Sequence, residues 1–161
     1  MRIHLISPTH YARDGSLHKT TRYWTSAITL PYLKALTPAP HEVSFTDELM
    51  GDLDMAKVER EADVVGLTAM GPQIRRAYDL ADHFRARGKR VVLGGTWVTL
   101  APEASLEHAD AVVAGEAEYV WTAQYSQGCG QPREKKTGQK KYMRYIQLER
   151  NASGFSNGSD Q

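Results

Sequence analysis

The sequence predicts an α/β fold in which five parallel strands form one sheet, in the order 2-1-3-4-5, with helices on both faces. Short apolar segments alternate five times with segments of helical periodicity, which is the pattern of a parallel sheet. The segment 41–46 alternates polar and apolar residues and therefore belongs at an edge. Two other segments, around residues 64–67 and 91–93, are apolar throughout and belong inside the sheet.

The first half of the chain contains two predicted strands separated by a long loop and a helix. Residues 2–7 form the first strand, and the polar loop 9–21 that follows is long enough to indicate a functional role. A helix is predicted over residues 27–36, with Pro31 in its first turn, where a missing N–H costs least. After the second strand, a short helix is expected over residues 54–61.

The clearest helix follows the third strand, which spans residues 63–68. Pro72 suits its first position and Gly88 suits the position just after its end. Two sets of residues recur between them at helical spacing. We expect one set to face the core, namely Ile74, Ala77, Tyr78, Ala81 and Phe84, and the other to face solvent, namely Arg75, Arg76, Asp79, Asp82 and Arg85.

The remaining elements complete the alternation of strand and helix. The fourth strand covers residues 90–93, and a helix begins at Pro102 with an acidic residue in its first turn, which suits the helix dipole. The fifth strand covers residues 109–113, and a last helix runs from Gly115 through Trp121. The sequence therefore predicts a domain over residues 1–125, followed by a polar and basic tail over 126–161 that we expect to be disordered.

Composition excludes several classes of function. The formal net charge of +1 over 161 residues predicts no strong electrostatic attraction to nucleic acid or to an acidic membrane. The single cysteine, Cys129, excludes a disulfide framework and any iron–sulfur cluster held by several thiolates of this chain. Neither a long apolar run nor a signal peptide is visible, so we expect a cytoplasmic protein without nucleic-acid or membrane partners.

The loop after the first strand argues against common nucleotide sites. Its sequence, Ser7-Pro8-Thr9-His10-Tyr11, does not match G-x-G-x-x-G, and no P-loop is present. The bulk of His10 and Tyr11 also prevents the backbone from wrapping a phosphate as a flavodoxin loop does. Thr68 stands where a receiver domain needs an aspartate, and no zinc or Ser-His-Asp spacing is found.

Small and hydroxyl residues follow the strands instead, where open α/β sheets bind ligands. The glycine pair after the fourth strand leaves no Cβ, so a bulky ligand can lie against bare backbone. An open, nearly uncharged rim of this kind suits a large, flat, mostly apolar ligand. The candidate binding residues at the strand ends are Pro8, Thr9, His10, Thr68, Ala69, Met70, Gly94, Gly95, Thr96, Gly115 and Glu116.

Four segments of the sequence carry a resemblance to a known family. They are residues 61–68 (EADVVGLT), 87–95 (RGKRVVLGG), 101–103 (APE) and 108–118 (HADAVVAGEAE). In their order and spacing the chain resembles, from Met1 to about Trp121, the N-terminal cobalamin-binding domain of B12-dependent radical SAM proteins. The resemblance implies a flavodoxin-like (Rossmann-like) three-layer domain that binds cobalamin at the carboxyl edge of the sheet. It implies that Thr68 lies near the buried nucleotide tail, which passes against Gly94 and Gly95.

The chain departs from that family in two ways. Classical cobalamin domains carry D-x-H-x-x-G after the first strand, whose histidine binds cobalt, and this chain has no such motif. Cobalt would then have another ligand, water or none from the protein, with His10 as an alternative ligand. The family also continues into a barrel with C-x-x-x-C-x-x-C, which one cysteine cannot supply. We therefore expect a chain that ends before the barrel through truncation, a frameshift or a different C-terminus. We expect it not to be an enzyme on its own but to serve a missing or separate radical SAM protein such as a methyltransferase.

The sequence alone is compatible with two other functions. The chain could be a degenerate interaction or regulatory module that has lost its ligand. It could also be a Rossmann-like enzyme that uses a nucleotide or a flavin, although the first loop is unsuited to phosphate.

Overall fold

Five parallel strands form the sheet of the computed structural model, which describes residues 1–19, 28–117 and 121. The strand order is β2-β1-β3-β4-β5, and every neighbouring pair is parallel. This confirms the predicted α/β class and the order 2-1-3-4-5. The strands are β1 (Arg2–Ser7), β2 (Glu42–Asp47), β3 (Val64–Thr68), β4 (Arg90–Gly94) and β5 (Ala111–Val113).

Five helices connect the strands within the described residues, together with a 3-10 turn at Gly71–Gln73. Ala117 and Trp121 are also helical, as expected for the last predicted helix. Residues 20–27 and the predicted tail 126–161 lie outside the described residues, so the predicted domain boundary stays a prediction. The helices are α1 (Thr29–Leu36), α2 (Met55–Glu61), α3 (Ile74–Ala86), α4 (Thr96–Leu100) and α5 (Pro102–Leu106).

The short helix α4 is absent from the sequence prediction. Its residues Thr-Trp-Val-Thr-Leu are mostly β-branched or aromatic and have modest helix propensity. It forms because Thr99 N–H donates to the Gly95 carbonyl at 3.1 Å and Val98 is completely buried. Packing of one side chain into the core therefore overrides local preference at this position.

The two faces of the sheet pack against different sets of helices. One face, which includes Ile6, Val65 and Val91, packs on α2, α3 and α4 in the larger core cluster. The other face packs on α1 and Trp121 in a smaller cluster, which includes Ile3, Leu5, Leu30 and Leu33. The layers are therefore helix, sheet and helix, as predicted.

Helix α3 shows the predicted core stripe and one error. Ala77, Ala81 and Phe84 are fully buried, which confirms the stripe. Arg76, however, does not face solvent as predicted. Its guanidinium forms an ion pair with Glu48, whose side chain is only 1% exposed, and the Arg76 side chain is 17% exposed. A buried carboxylate on a neighbouring loop draws Arg76 inward, which helical spacing alone cannot reveal.

The edge of the sheet holds a histidine in a closed network. His4 of β1 lies with Nδ1 2.7 Å from Ser44 Oγ and with Nε2 3.1 Å from Thr46 Oγ1, both on β2. Burial, followed by the nearby Lys57 charge, lowers the pKa of His4 from its ordinary value. A neutral imidazole therefore joins the two strands at the edge of the sheet.

Across the described ranges, no helix is both long and apolar enough to cross a membrane.

Candidate functional site

A cavity of about 420 Å³ lies between one face of the sheet and helix α1. It extends from the loops after β3, β4 and β5 to residues in the middle of the strands. A volume of this size is in the range of sites for small molecules and cofactors. The cavity is therefore the best candidate for a ligand site at the carboxyl edge of the sheet, where the sequence predicts one.

Two glycines in neighbouring strands create the floor of the cavity. Gly66 of β3 pairs with Leu5 on one side and Val92 on the other, while Gly94 of β4 pairs with Thr68 and Val113. A Cβ built on Gly94 would lie 3.6 Å from its nearest neighbour, Val113 Cβ, which is ordinary van der Waals contact. A side chain at Gly94 would occupy the space above the sheet, so its absence opens the cavity there.

The sequence prediction missed Gly66, although a signal for it was present. A glycine inside an apolar strand often marks close approach of a ligand or another chain segment. A Cβ on Gly66 would lie 2.7 Å from Leu5 Cδ2, so the Leu5 side chain leans over this glycine. Gly66 and Leu5 together shape the inner end of the cavity floor.

Helix α1 and Trp121 form the apolar wall opposite the sheet. Leu30 and Leu33 of α1 and Trp121 are at most 7% exposed and line the cavity. The Trp121 indole N–H donates to Thr37 Oγ1 at 2.7 Å, which ties its helical segment to the end of α1. Sequence reasoning identified these residues at most as general core, because periodicity does not show which core residues border a gap.

Polar and exposed residues surround the mouth of the cavity. Thr99 of α4 links two strand-end loops, because its hydroxyl donates to the Gly95 carbonyl at 3.1 Å and accepts from Gly115 N–H at 2.9 Å. Met70 and Glu116 are exposed at this rim. The mouth therefore offers hydroxyl groups and solvent access, whereas the buried part of the wall offers hydrocarbon.

The second glycine of the pair is required by the backbone itself. Gly95 has φ of +101°, and a Cβ there would lie 2.7 Å from both the nitrogen and the oxygen of Ala69. Ala69 N–H donates to the Gly94 carbonyl at 3.0 Å, and Trp97 N–H donates to the Ala69 carbonyl at 3.2 Å. The ends of β3 and β4 are thus held together too closely for any residue but glycine at position 95.

The structure brings together only part of the predicted site. Ala69 is buried beneath the loops, and Pro8, Thr9 and His10 lie at the end of β1, so none of these four lines the cavity. The predicted residues that line it are Thr68, Met70, Gly94, Gly95, Thr96, Gly115 and Glu116.

Residues of the loop after β1 interact with one another and with Glu48. His10 stacks on His18 with ring centroids 4.6 Å apart, and the Thr9 hydroxyl donates to the His18 carbonyl. Thr9 N–H donates to Glu48 Oε2 at 3.1 Å. The Glu48 carboxylate therefore takes up a backbone amide at the position where a phosphate-binding loop needs its amides available.

Glu48 is in turn held by Arg76 on α3. Arg76 Nη2 lies 2.6 Å from Glu48 Oε1, and Arg76 Nε lies 3.1 Å from Glu48 Oε2. Burial alone would lower the pKa of Arg76, but hydrogen bonds to Glu48 and Tyr11 and the Glu48 charge raise it above its usual value. A charged pair thus holds the loop after β1 against α3.

Comparison with known proteins assigns the chain to a family. A family model described as the B12 binding domain matches residues 20–123, which is more than half of the chain. The chain belongs to the B12 binding domain family. The resemblance to a cobalamin-binding domain that the sequence segments carry is thereby confirmed.

Two curated relatives, both from Chlorobaculum tepidum, are similar to this chain. The chain is 41% identical over 95 residues to bacteriochlorophyllide d C-8(2)-methyltransferase, covering 59% of this chain and 21% of the relative. It is 34% identical over 80 residues to bacteriochlorophyllide d C-12(1)-methyltransferase, covering 50% of this chain and 17% of the relative. The matches thus span about a fifth of the length of these proteins.

Proposed function

We propose that this B12 binding domain binds cobalamin, with the nucleotide tail of the cofactor in the cavity beside helix α1. The observation that carries the proposal is the glycine floor, because Gly94 leaves one face of the sheet open at the strand ends and the cavity continues inward to Gly66, over which Leu5 leans. A ligand that enters between the loops can therefore lie against bare backbone at Gly94.

The chemistry of the lining fits the parts of the cofactor. Cobalamin joins an apolar two-ring base to its corrin ring through a polar linker of ribose and phosphate. Leu33 and Trp121 on the wall suit the base, and the hydroxyls of Thr68 and Thr99 at the mouth suit the linker. The exposed rim, which includes Met70, is left for the corrin ring.

The residues of this chain would bind and orient the cofactor without taking part in its chemistry. When bound, cobalamin supplies a cobalt centre that can carry a methyl group. The names of both relatives include methyltransferase, which supports a role for this domain in methyl transfer. We infer that residues 1–125 act as the cobalamin module of a radical SAM methyltransferase whose barrel is another part of the protein or another chain.

We infer that His10 does not bind cobalt, which leaves water, a weak side-chain ligand or no ligand on its lower face. The D-x-H-x-x-G motif is absent from the sequence, and the candidate His10 stacks on His18 outside the cavity. His10→Ala should therefore leave cobalamin affinity unchanged.

The loop after β1 favours cobalamin over the alternative of a nucleotide or flavin enzyme. A phosphate there would meet the Glu48 carboxylate, which already accepts the Thr9 N–H. Bringing a second negative group to this amide is unfavourable, even with Arg76 in place. The open cavity likewise supports a ligand-binding domain over a degenerate module.

A titration with hydroxocobalamin tests the proposal, using the corrin absorbance as readout. We compare Gly94→Leu, whose side chain would enter the cavity, with Gly51→Leu as a matched control. Gly51 has open space around its Cβ position and does not line the cavity. We expect Gly94→Leu to weaken binding at least tenfold, about 1.4 kcal/mol, and Gly51→Leu to bind as the unchanged chain does.

Two results would contradict the proposal. One is the absence of any spectral change with the unchanged chain at saturating hydroxocobalamin. The other is unaltered affinity in a Gly94→Leu variant whose circular dichroism shows a folded domain.

A further inference from the structure

The cavity has two layers of different polarity along the strands. The outer layer is Thr68 and Gly94, which pair at the strand ends, with Val113 beside them. The inner layer lies two residues further from the strand ends and consists of Leu5, Gly66 and Val92, which also pair in register. A hydroxyl thus occurs in the outer layer, whereas the side chains of the inner layer are entirely hydrocarbon.

Polar groups around the inner layer already have partners. The backbone of β1, β3 and β4 is paired within the sheet at these positions. Opposite, the Trp121 indole N–H donates to Thr37 Oγ1. In the part of the chain that the structure describes, every buried side-chain nitrogen or oxygen has a hydrogen-bond partner. A polar substituent on a ring placed in this layer would therefore find no unpaired polar group in the inner layer itself, and the polar side chains of α1 that line the cavity, Thr29 and Tyr32, are exposed to solvent.

We propose that this inner layer selects cobamides by their lower base, accepting benzimidazole or phenol bases and discriminating against purines. The inference rests on the proposed function, because it assumes that the tail enters the cavity. A purine carries additional ring nitrogens, and adenine also carries an amino group. Burying these groups without partners costs free energy that the apolar edge of a benzimidazole does not incur.

A panel of four cobamides tests the proposal on the full chain. The ligands are cobalamin, the cobamide with an adenine base, the cobamide with a p-cresol base, and cobinamide, which lacks the tail. Affinity is measured by corrin absorbance and by quenching of tryptophan fluorescence, since Trp121 lines the cavity. We expect the p-cresol cobamide to bind within a few-fold of cobalamin. The adenine cobamide and cobinamide should each bind at least tenfold more weakly, about 1.4 kcal/mol.

The outcomes separate this proposal from the proposed function. Equal affinity for cobalamin and the adenine cobamide overturns base selection and leaves cobalamin binding intact. Cobinamide that binds as tightly as cobalamin also overturns it, because the tail would then contribute nothing. Failure of all four ligands to bind overturns the proposed function and this inference with it.

A single hydroxyl in the inner layer provides a second test. Val92→Thr preserves shape and adds a hydrogen-bonding group at the inner layer, so it should lower the preference for cobalamin over the adenine cobamide by roughly threefold or more. Val43→Thr is the matched control, because Val43 is a half-buried strand residue that does not line the cavity. If folded Val92→Thr kept the same preference for cobalamin over the adenine cobamide, the proposal would be contradicted. If Val92→Thr does not fold, the four-ligand panel on the wild-type chain decides the proposal.

Discussion

Gly94 and Gly95 are neighbours in sequence with different roles in the structure. Gly94 lies in β4 and its missing side chain opens the cavity, with 3.6 Å available to the nearest atom of Val113. Gly95 has a positive φ and lies against the backbone of Ala69. The first glycine therefore serves the ligand site, and the second serves the close approach of two strand ends.

This difference predicts that alanine lowers stability far more at position 95 than at position 94. Gly95→Ala forces a side chain into a left-handed backbone conformation and against Ala69, so we expect the free energy of unfolding to fall by about 2 kcal/mol or more. In Gly94→Ala the new Cβ makes only ordinary van der Waals contacts, so the free energy of unfolding should change by less than about 1 kcal/mol. Urea unfolding followed by circular dichroism measures both.

Equal stability of the two variants would show that the strand ends relax around position 95. The same geometry explains why a leucine at Gly95 is a poor probe of cobalamin binding, since such a variant would lose stability whether or not a ligand passes there. A large side chain at Gly94 therefore tests cobalamin binding without the loss of stability that we expect at Gly95.

At the scale of elements, a buried ion pair connects the loop after β1 to helix α3. Glu48 is almost completely buried, accepts from Thr9 N–H and is paired with Arg76. Nearby, the Tyr11 hydroxyl donates to the Asp79 carboxylate on the same helix. These contacts hold the loop in place although its sequence is polar and has no apolar periodicity.

Removal of Arg76 should be costly, because it leaves a carboxylate buried without its counter-charge. We expect Arg76→Met to lower the free energy of unfolding by roughly 3 kcal/mol. Arg75→Met is the matched control, since Arg75 is exposed above the Tyr11 ring, and its loss should be about 1 kcal/mol or less. Chemical denaturation of the two variants gives the comparison.

A second substitution distinguishes the charge from the packing of the arginine. Combining Glu48→Gln with Arg76→Met removes the unpaired charge but keeps an acceptor for Thr9 N–H, so stability should partly recover. A double variant less stable than Arg76→Met would mean that the pair is not the source of the loss.

At the scale of the whole molecule, the sequence predicts the sheet well and the cavity only in part. Strand order follows from local patterns, namely the alternation in β2 and the apolar runs of β3 and β4. The Glu48–Arg76 pair joins residues 28 positions apart, and helical spacing alone wrongly assigned Arg76 to solvent. The wall of the cavity depends on how α1 sits over Gly66, which is a tertiary property that periodicity does not contain.

The predicted boundary near residue 125 concerns the molecule as a whole. Residues 126–161 are polar and basic without a core-facing pattern, so limited proteolysis should cleave near residue 126 and leave a core that still binds cobalamin. Mass spectrometry of the resistant fragment locates the boundary. Protection of the basic stretch 133–141 from trypsin would show instead that the domain extends further.

The glycine floor also has a consequence for the volume of the protein. Water packs poorly against the hydrocarbon that lines the inner part of this cavity of about 420 Å³, and unfolding eliminates this space, so the unfolded state without ligand occupies less total volume than the folded state. Hydrostatic pressure should therefore favour unfolding of the ligand-free domain. A ligand that fills this space would reduce the volume change and make the same fold less compressible.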